Sequence, residues 1–550
     1  MARKEGTTFD IARILVEGRY LTEQDLERGR MAAASRGTSL TDALVEDGLI
    51  TRDLLGQGVA EALGVPYADL NSKVPTAEMI QRIPEDVARE HRVVLFQESD
   101  DEVVVATDKP KPRGLITALR PSFGSKKIIR AYSLPQDIDV LLNAYRAPLV
   151  GRLKHLQDEE HLPAPAIVAE IINDAAALGA SDIHIEPYPG DLLVRFRIDG
   201  VMQEVARLGK DYHGIVLNRI KVLARMRLDD HFSAQDGAIR FTLDNEALDI
   251  RVSIVPTLEG EKVVMRLLTG RMRGLALSGL GLSLAHQAML ESAIKKPFGM
   301  ILTTGPTGSG KTTTLYASMK TLDQAALNIT TIEDPVEYRL VGINQIQVNT
   351  QVDLTFGKGL RAIVRQNPDV IMVGEVRDRD TAEIAVNAAL TGHLLFSTFH
   401  ANDAATSVVR LVDIGVEPFL LSSTLELIMA QRLVRRICES CRVSMSAEEI
   451  KKLNISPAVK KHLTGRMRLY RGKGCPVCNG VGYRGRIGIF ELIPVSRAMR
   501  DLILTSPSTQ QVWKQARSEG ARSLFEDGID KANSGVTSLS EVMRVANPTE

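Results

Sequence analysis

The chain has 550 residues, with 68 lysines and arginines against 68 aspartates and glutamates, so its formal net charge is zero. That length exceeds what one hydrophobic core supports, so two to four domains are expected, and the neutral balance argues against a nucleic-acid partner, including the reading as a DNA translocase. No stretch approaches the roughly 18 uninterrupted apolar residues of a membrane span, and the Met1–Gly6 start leads into no apolar signal region, which together predict a cytoplasmic location.

Residues 9 to about 63 carry an internal repeat. Leu15-Val16-Glu17, Tyr20-Leu21-Thr22 and Leu26 recur 29 positions later as Leu44-Val45-Glu46, Leu49-Ile50-Thr51 and Leu55. Each copy predicts a helix, a glycine turn at Gly18 or Gly48, a threonine N-cap and a second helix. One such unit is too small to bury its apolar face, so the two are expected to pack together. A mixed segment follows, with strands at Val93–Phe96 and Val103–Ala106, punctuation at Pro110 and Pro112, and an end near Tyr145. Residues 151–165, with Asp158-Glu159-Glu160 and Pro163-Ala164-Pro165, read as a linker.

A helix over Ala166–Leu178 opens a strand-rich region reaching about residue 270, with strands at 182–186, 192–200 and 248–253. Val194, Phe196 and Ile198 alternate with Arg195, Arg197 and Asp199, which predicts a sheet with one buried face and one arginine-bearing face. Such arginines are either solvated or placed to meet phosphate or a neighbouring subunit. From about 285 to 440, apolar strands alternate with helices, the pattern of a parallel nucleotide-binding sheet.

Within that region Met300-Ile301-Leu302 leads into Gly305, Pro306, Thr307, Gly308, Ser309, Gly310, Lys311 and Thr312, and Thr313–Leu322 reads as a helix. Glycines let successive N–H groups turn inward around a phosphate, and the following helix aims its positive end at the same point. The expected ligands are ATP and Mg²⁺, with Lys311 on the β- and γ-phosphates and Thr312 on the metal. Glu375 ends the apolar strand that begins at Asp369, where a carboxylate emerges at the sheet's C-terminal edge to orient the attacking water. Glu333 and Asp334 end another strand and are expected to support metal and water. His393 and His400 flank the strand Leu394–Thr398, and both are expected at that same edge as sensors of the γ-phosphate.

All four cysteines fall in two C-x-x-C pairs, Cys438 with Cys441 and Cys475 with Cys478. Four thiolates suit a structural Zn²⁺, brought together by a folded insertion, with redox activity of one pair as the rival reading.

Taken together, these motifs resemble the secretion-ATPase superfamily of type II secretion and type IV pilus assembly. Gly305–Thr312 is similar to its Walker A, Thr331–Tyr338 to its Asp box, Leu360–Asp378 to its variant Walker B and Thr391–Ala404 to its His box. The paired cysteines and Gly482-Tyr483-Arg484-Gly485-Arg486 match the assembly and secretion branch. The resemblance implies an α/β fold: a RecA-like P-loop ATPase domain at 281–500, carrying the tetracysteine insertion at 438–478. A PAS-like α+β domain at 166–280 would precede it, with an N-terminal docking module at 1–150 and a C-terminal helical segment at 501–550. It also implies a homohexamer in which some of Arg195, Arg197, Arg251 and Arg266 close on ATP. Turnover would then drive pilin or pseudopilin assembly through an inner-membrane platform protein and an accessory cytoplasmic-ring protein. Relatives whose N-terminal modules bind cyclic di-GMP carry an Arg-Leu-Gly start and a closing Gln. Here Asp10-Ile11-Ala12 and Ser39-Leu40-Thr41 stand in the Arg-Leu-Gly place, so docking to protein is expected instead. The alternative from another class is a nucleotide-binding docking scaffold of the same machine without significant turnover.

Overall fold

The computed structural model describes residues 11–36, 40–46, 49–109, 114–142, 145, 149, 164–243, 246–268, 276–453, 455–463 and 467–548. They form two compact units, one made chiefly of residues 39–272 and the other chiefly of 273–473 with 481–550.

The repeat at the start of the first unit folds as four helices, Ile11–Glu17, Glu23–Arg36, Leu40–Glu46 and Arg52–Leu63. Both threonines cap as expected: Thr51 accepts from the Leu54 N–H, and Thr22 accepts from the Asp25 N–H at 3.1 Å. Leu15, Leu44, Ile50 and Val59 bury together with Tyr132 and Leu134 of the following segment, so the two copies share one core with it. That segment holds a three-stranded sheet of β1 (Val93–Glu98), β2 (Glu102–Thr107) and β3 (Lys127–Tyr132). β1 pairs antiparallel with β2, and β2 pairs parallel with β3. Gly48, Pro110, Pro112 and residues 151–163 of the expected linker lie outside the described residues.

The helix expected at 166–178 spans Ala164–Ala177 and packs on a six-stranded antiparallel sheet. Its strands are β4 (Ala180–Pro187), β5 (Asp191–Ile198), β6 (Val201–Gly209), β7 (Gln235–Leu243), β8 (Glu246–Thr257) and β9 (Gly260–Leu268), in the order β6-β5-β4-β9-β8-β7. Ile183, Phe196, Ile250 and Met265 fill the core below it. On the other face Arg195 chelates Glu186 through two hydrogen bonds of 2.8 and 2.9 Å. Arg266 and Arg197 flank Asp182, at 3.1 and 3.5 Å. The predicted alternation is therefore real, and the arginines it exposes are already matched by carboxylates on the neighbouring strand.

The second unit is built on a seven-stranded sheet. Its members are β10 (Gly299–Thr304), β11 (Ile329–Glu333), β12 (Asn344–Gln347), β13 (Val370–Val373), β14 (Leu394–Phe399) and β15 (Leu425–Ile437). A hairpin, β16 (Arg442–Ser444) with β17 (Tyr470–Gly472), leads to the last strand, β18 (Tyr483–Pro494). The order is β12-β11-β13-β14-β10-β15-β18, parallel throughout except for β18. Apolar clusters cover both faces, which is why these strands read as near-continuous hydrophobic runs. Four C-terminal helices, Arg497–Ile503, Thr509–Ser518, Leu524–Asn533 and Leu539–Val545, complete the unit, two of them opened by capping boxes at Ser508/Gln511 and Ser523/Glu526.

Phe196 is fully buried in the first unit's core. Truncating it to alanine is expected to destabilise that unit by about 3–5 kcal/mol. Urea unfolding should show its transition at a clearly lower midpoint, and an unchanged midpoint would contradict this packing.

Candidate active site

Thr304 ends β10, which lies between β14 and β15 in the parallel part of the sheet, and the glycine-rich loop follows. Gly305, Gly308 and Gly310 have φ of 144°, 77° and 88°, values that other residues rarely adopt. The loop is also tightly approached: a Cβ on Gly305 would lie 2.4 Å from the Gln431 carbonyl oxygen, and one on Gly310 would lie 2.8 Å from the Gln431 side chain. Gln431 is itself buried on β15 and accepts from the Thr314 hydroxyl at 2.7 Å, fixing the loop's following helix, Lys311–Met319. Pro306, Thr307 and Gly308 form the exposed rim, while Ser309 is buried and Thr312 and Thr313 are half-buried at the helix start.

Lys311 is buried, and its ammonium donates to the carbonyls of Gly305 and Pro306 at 2.8 and 3.0 Å. Burial pulls its pKa below the usual lysine range, and the negative charge of Glu375 opposes that shift. A buried ammonium beside inward-turned amides is a site for a polyanion.

Glu375 follows β13 through Gly374. The Gly374 N–H donates to Ile332 O at 2.7 Å and its carbonyl accepts from Thr398 at 2.6 Å, clamping the turn between β11 and β14. The Glu375 carboxylate is mostly buried and has two partners, the Arg377 guanidinium at 2.6 Å and His400 Nε2 at 3.1 Å. His400 follows β14, and the next residue, Ala401, donates its N–H to Thr304 Oγ1 at 2.9 Å. Lys311, Glu375 and His400 thus gather at one sheet edge.

Glu333 ends β11 at that edge but is enclosed. It accepts from the hydroxyls of Tyr316 and Thr331 and from Gln345 Nε2, the last two at 2.6 and 3.2 Å, and burial raises its pKa despite these donors. Asp334 beside it is exposed, before the cis Asp334–Pro335 bond. His393 is not where it was expected. β10 and β14 run parallel with Gly299 opposite Leu394, and the Gly299 N–H donates to the His393 carbonyl. His393 therefore lies at the sheet's N-terminal edge, about 20 Å of strand away from His400. Its ring bonds the Ala388 carbonyl at 2.7 Å, the satisfied role of a helix-end histidine.

Several residues around the site carried no role in the sequence reading: Arg377, Gln431, and the trio Tyr316, Thr331 and Gln345. Gln431 did leave a signal, as a polar residue after the apolar run Leu427–Ala430.

The four cysteine sulfurs lie within 4.8 Å of one another. A tetrahedral zinc with Zn–S bonds near 2.3 Å sets its sulfurs about 3.8 Å apart, and Cys475 and Cys478 already stand at 3.7 Å. The donor set and spacing fit a closed, structural Zn²⁺ better than a lone redox pair. Cys475→Ser is expected to lower the bound zinc from about one per chain and reduce the melting temperature. Metal analysis and a thermal melt check this; an unchanged zinc content would contradict it.

The chain from residue 157 to 544 matches the family model described as type II/IV secretion system protein, and 63–151 match an MshEN domain. It is 36% identical to the type IV pilus assembly ATPase PilB of Myxococcus xanthus, over 97% of this chain and 98% of the relative. It is 46% identical to the type II secretion system protein E of Pseudomonas aeruginosa, over 71% of this chain and 77% of the relative. Among solved structures, the Legionella pneumophila ATPase DotB shares the fold, with a TM-score of 0.51 and 20% identity over 69% of this chain and 95% of DotB. The RecA-like sheet, the phosphate loop and this similarity over most of its length agree: the chain belongs to the type II/IV secretion system protein family, in the branch of the secretion E proteins and PilB.

Proposed function

We propose that this chain is an ATP hydrolase that works as the motor of a type II secretion or type IV pilus assembly machine. The observation that carries the reading is Glu375, a buried carboxylate at the same sheet edge as the Lys311 cradle, held by Arg377 and His400. The loop amides from Gly305 to Thr313 and the Lys311 ammonium bind the triphosphate. Thr312, with Glu333 and Asp334 in support, would hold Mg²⁺, which neutralises charge on the phosphates. Glu375 aligns the attacking water and takes up its proton, which requires one of its oxygens to leave Arg377 or His400. His400 then senses the γ-phosphate through the partner it has lost.

Arg195 and Arg197 complete the reading. Each would exchange its carboxylate, Glu186 or Asp182, for phosphate when ATP is bound, leaving Lys262 on Glu186 and Arg266 on Asp182 to hold those buried carboxylates. In a homohexameric cytoplasmic ring this exchange would convert turnover into domain movement. The movement would act through an inner-membrane platform protein and an accessory ring protein. Among the described residues no helix is long and apolar enough to cross a membrane, which supports membrane association through such partners. The rival reading, a docking scaffold without turnover, leaves the shielded Glu375 without a purpose.

Glu375→Gln is expected to cut kcat at least about 100-fold while ATP affinity stays within about threefold. Phosphate release and fluorescent-nucleotide binding read the two effects. Equal, near-zero release from wild type and variant would favour the scaffold.

A further inference from the structure

One buried acid in the second unit has no place in the chemistry above. Glu491 lies on β18, opposite Ala430 of β15, which is in turn opposite Thr304, the residue before the phosphate loop. It is only 2% exposed. Its carboxylate accepts the Ala404 N–H at 2.9 Å and also the Leu524 N–H, the first residues of helices Ala404–Asp413 and Leu524–Asn533. A helix start needs only a neutral cap. Asp403 and Ser523 already cap the two helices, so a further buried acid here is costly and redundant as a cap.

We propose that Glu491 is a positioning residue for ATP turnover: it holds the loop carrying His400 and ties that loop to the C-terminal helices. The inference rests on the reading that His400, the partner of Glu375, senses the γ-phosphate during turnover. Residues 400–404 are pinned at several points, among them Arg410 on the His400 carbonyl. The Thr304 hydroxyl takes the Ala401 N–H, and Glu491 takes the Ala404 N–H. Arg432 on β15 donates to the Asn402 carbonyl between them. An ionised Glu491 can accept from both helix starts at once. A protonated one loses part of that capacity and slackens the loop.

The environment places that change near neutrality. Burial, with Asp403 in support, pushes the Glu491 pKa up to about 7 against the two backbone donors and Arg517. On the adjoining helices, Glu526 is paired with Arg517 and Asp527 with Lys531, so neither is a free charge facing it. Because the ionised form is the competent one, turnover is present above that pKa and lost as pH falls through it.

The test is the pH profile of kcat for the full chain, between about pH 5.5 and 8.5. Wild type should show an acid limb with a midpoint near 7. Glu491→Gln should lower kcat about tenfold with KM within about twofold, and the limb should disappear. Arg517→Gln, on a helix away from the His400 loop, removes a charge that favours ionised Glu491 and should move the limb to higher pH. It keeps the test decisive even where Glu491→Gln fails to fold. A Glu491→Gln profile superimposable on wild type, or a limb that stays put in Arg517→Gln, would overturn the proposal while leaving the motor reading intact. A wild type without turnover would sink both.

Discussion

A buried ammonium decides much of this structure. Among the described residues the Lys311 ammonium donates to the carbonyls of Gly305 and Pro306, in a pocket where burial disfavours its charge. That arrangement is tolerable because Glu375 lies near enough to be felt and because an anionic ligand completes it. The surroundings serve this cradle. β10 runs between β14 and β15, β15 closes on the loop through Gln431, and β13 and β14 deliver Glu375 and His400 to the same edge.

The active carboxylate is shielded on both oxygens. Arg377 holds one and His400 the other, so a ligand must compete for one of these partners before that oxygen can reach it. A glutamate parked in this way suits an ATPase whose hydrolysis waits for its ligand. The paired arginines of the six-stranded sheet follow the same logic. Arg195 on Glu186 and Arg197 on Asp182 are likewise matched by carboxylates of the neighbouring strand.

What the sequence disclosed depended on whether the signal was local. The phosphate loop is contiguous, and its glycines, lysine and threonine could be assigned before any fold was known. Glu375 was legible because it directly follows an apolar run. His393 misled for a geometric reason: the two residues flanking one strand lie at its opposite ends, and only the one after it reaches the C-terminal edge of a parallel sheet. The network around Glu333 draws on a helix and two strands, and Glu491 bridges a late strand to two helix starts. No spacing in the chain announces either. β6, β7 and β9 passed unread because charged residues such as Glu204, Asp236 and Lys262 interrupt their apolar alternation.

Where Glu375 points during the reaction tests its role most directly. A cryo-EM structure of the protein trapped with Mg²⁺, ADP and aluminium fluoride would show it. One Glu375 oxygen is expected to be released from its resting partner and bonded to the water in line with the fluoride. Glu375 still held by both Arg377 and His400, with a different carboxylate on that water, would contradict it.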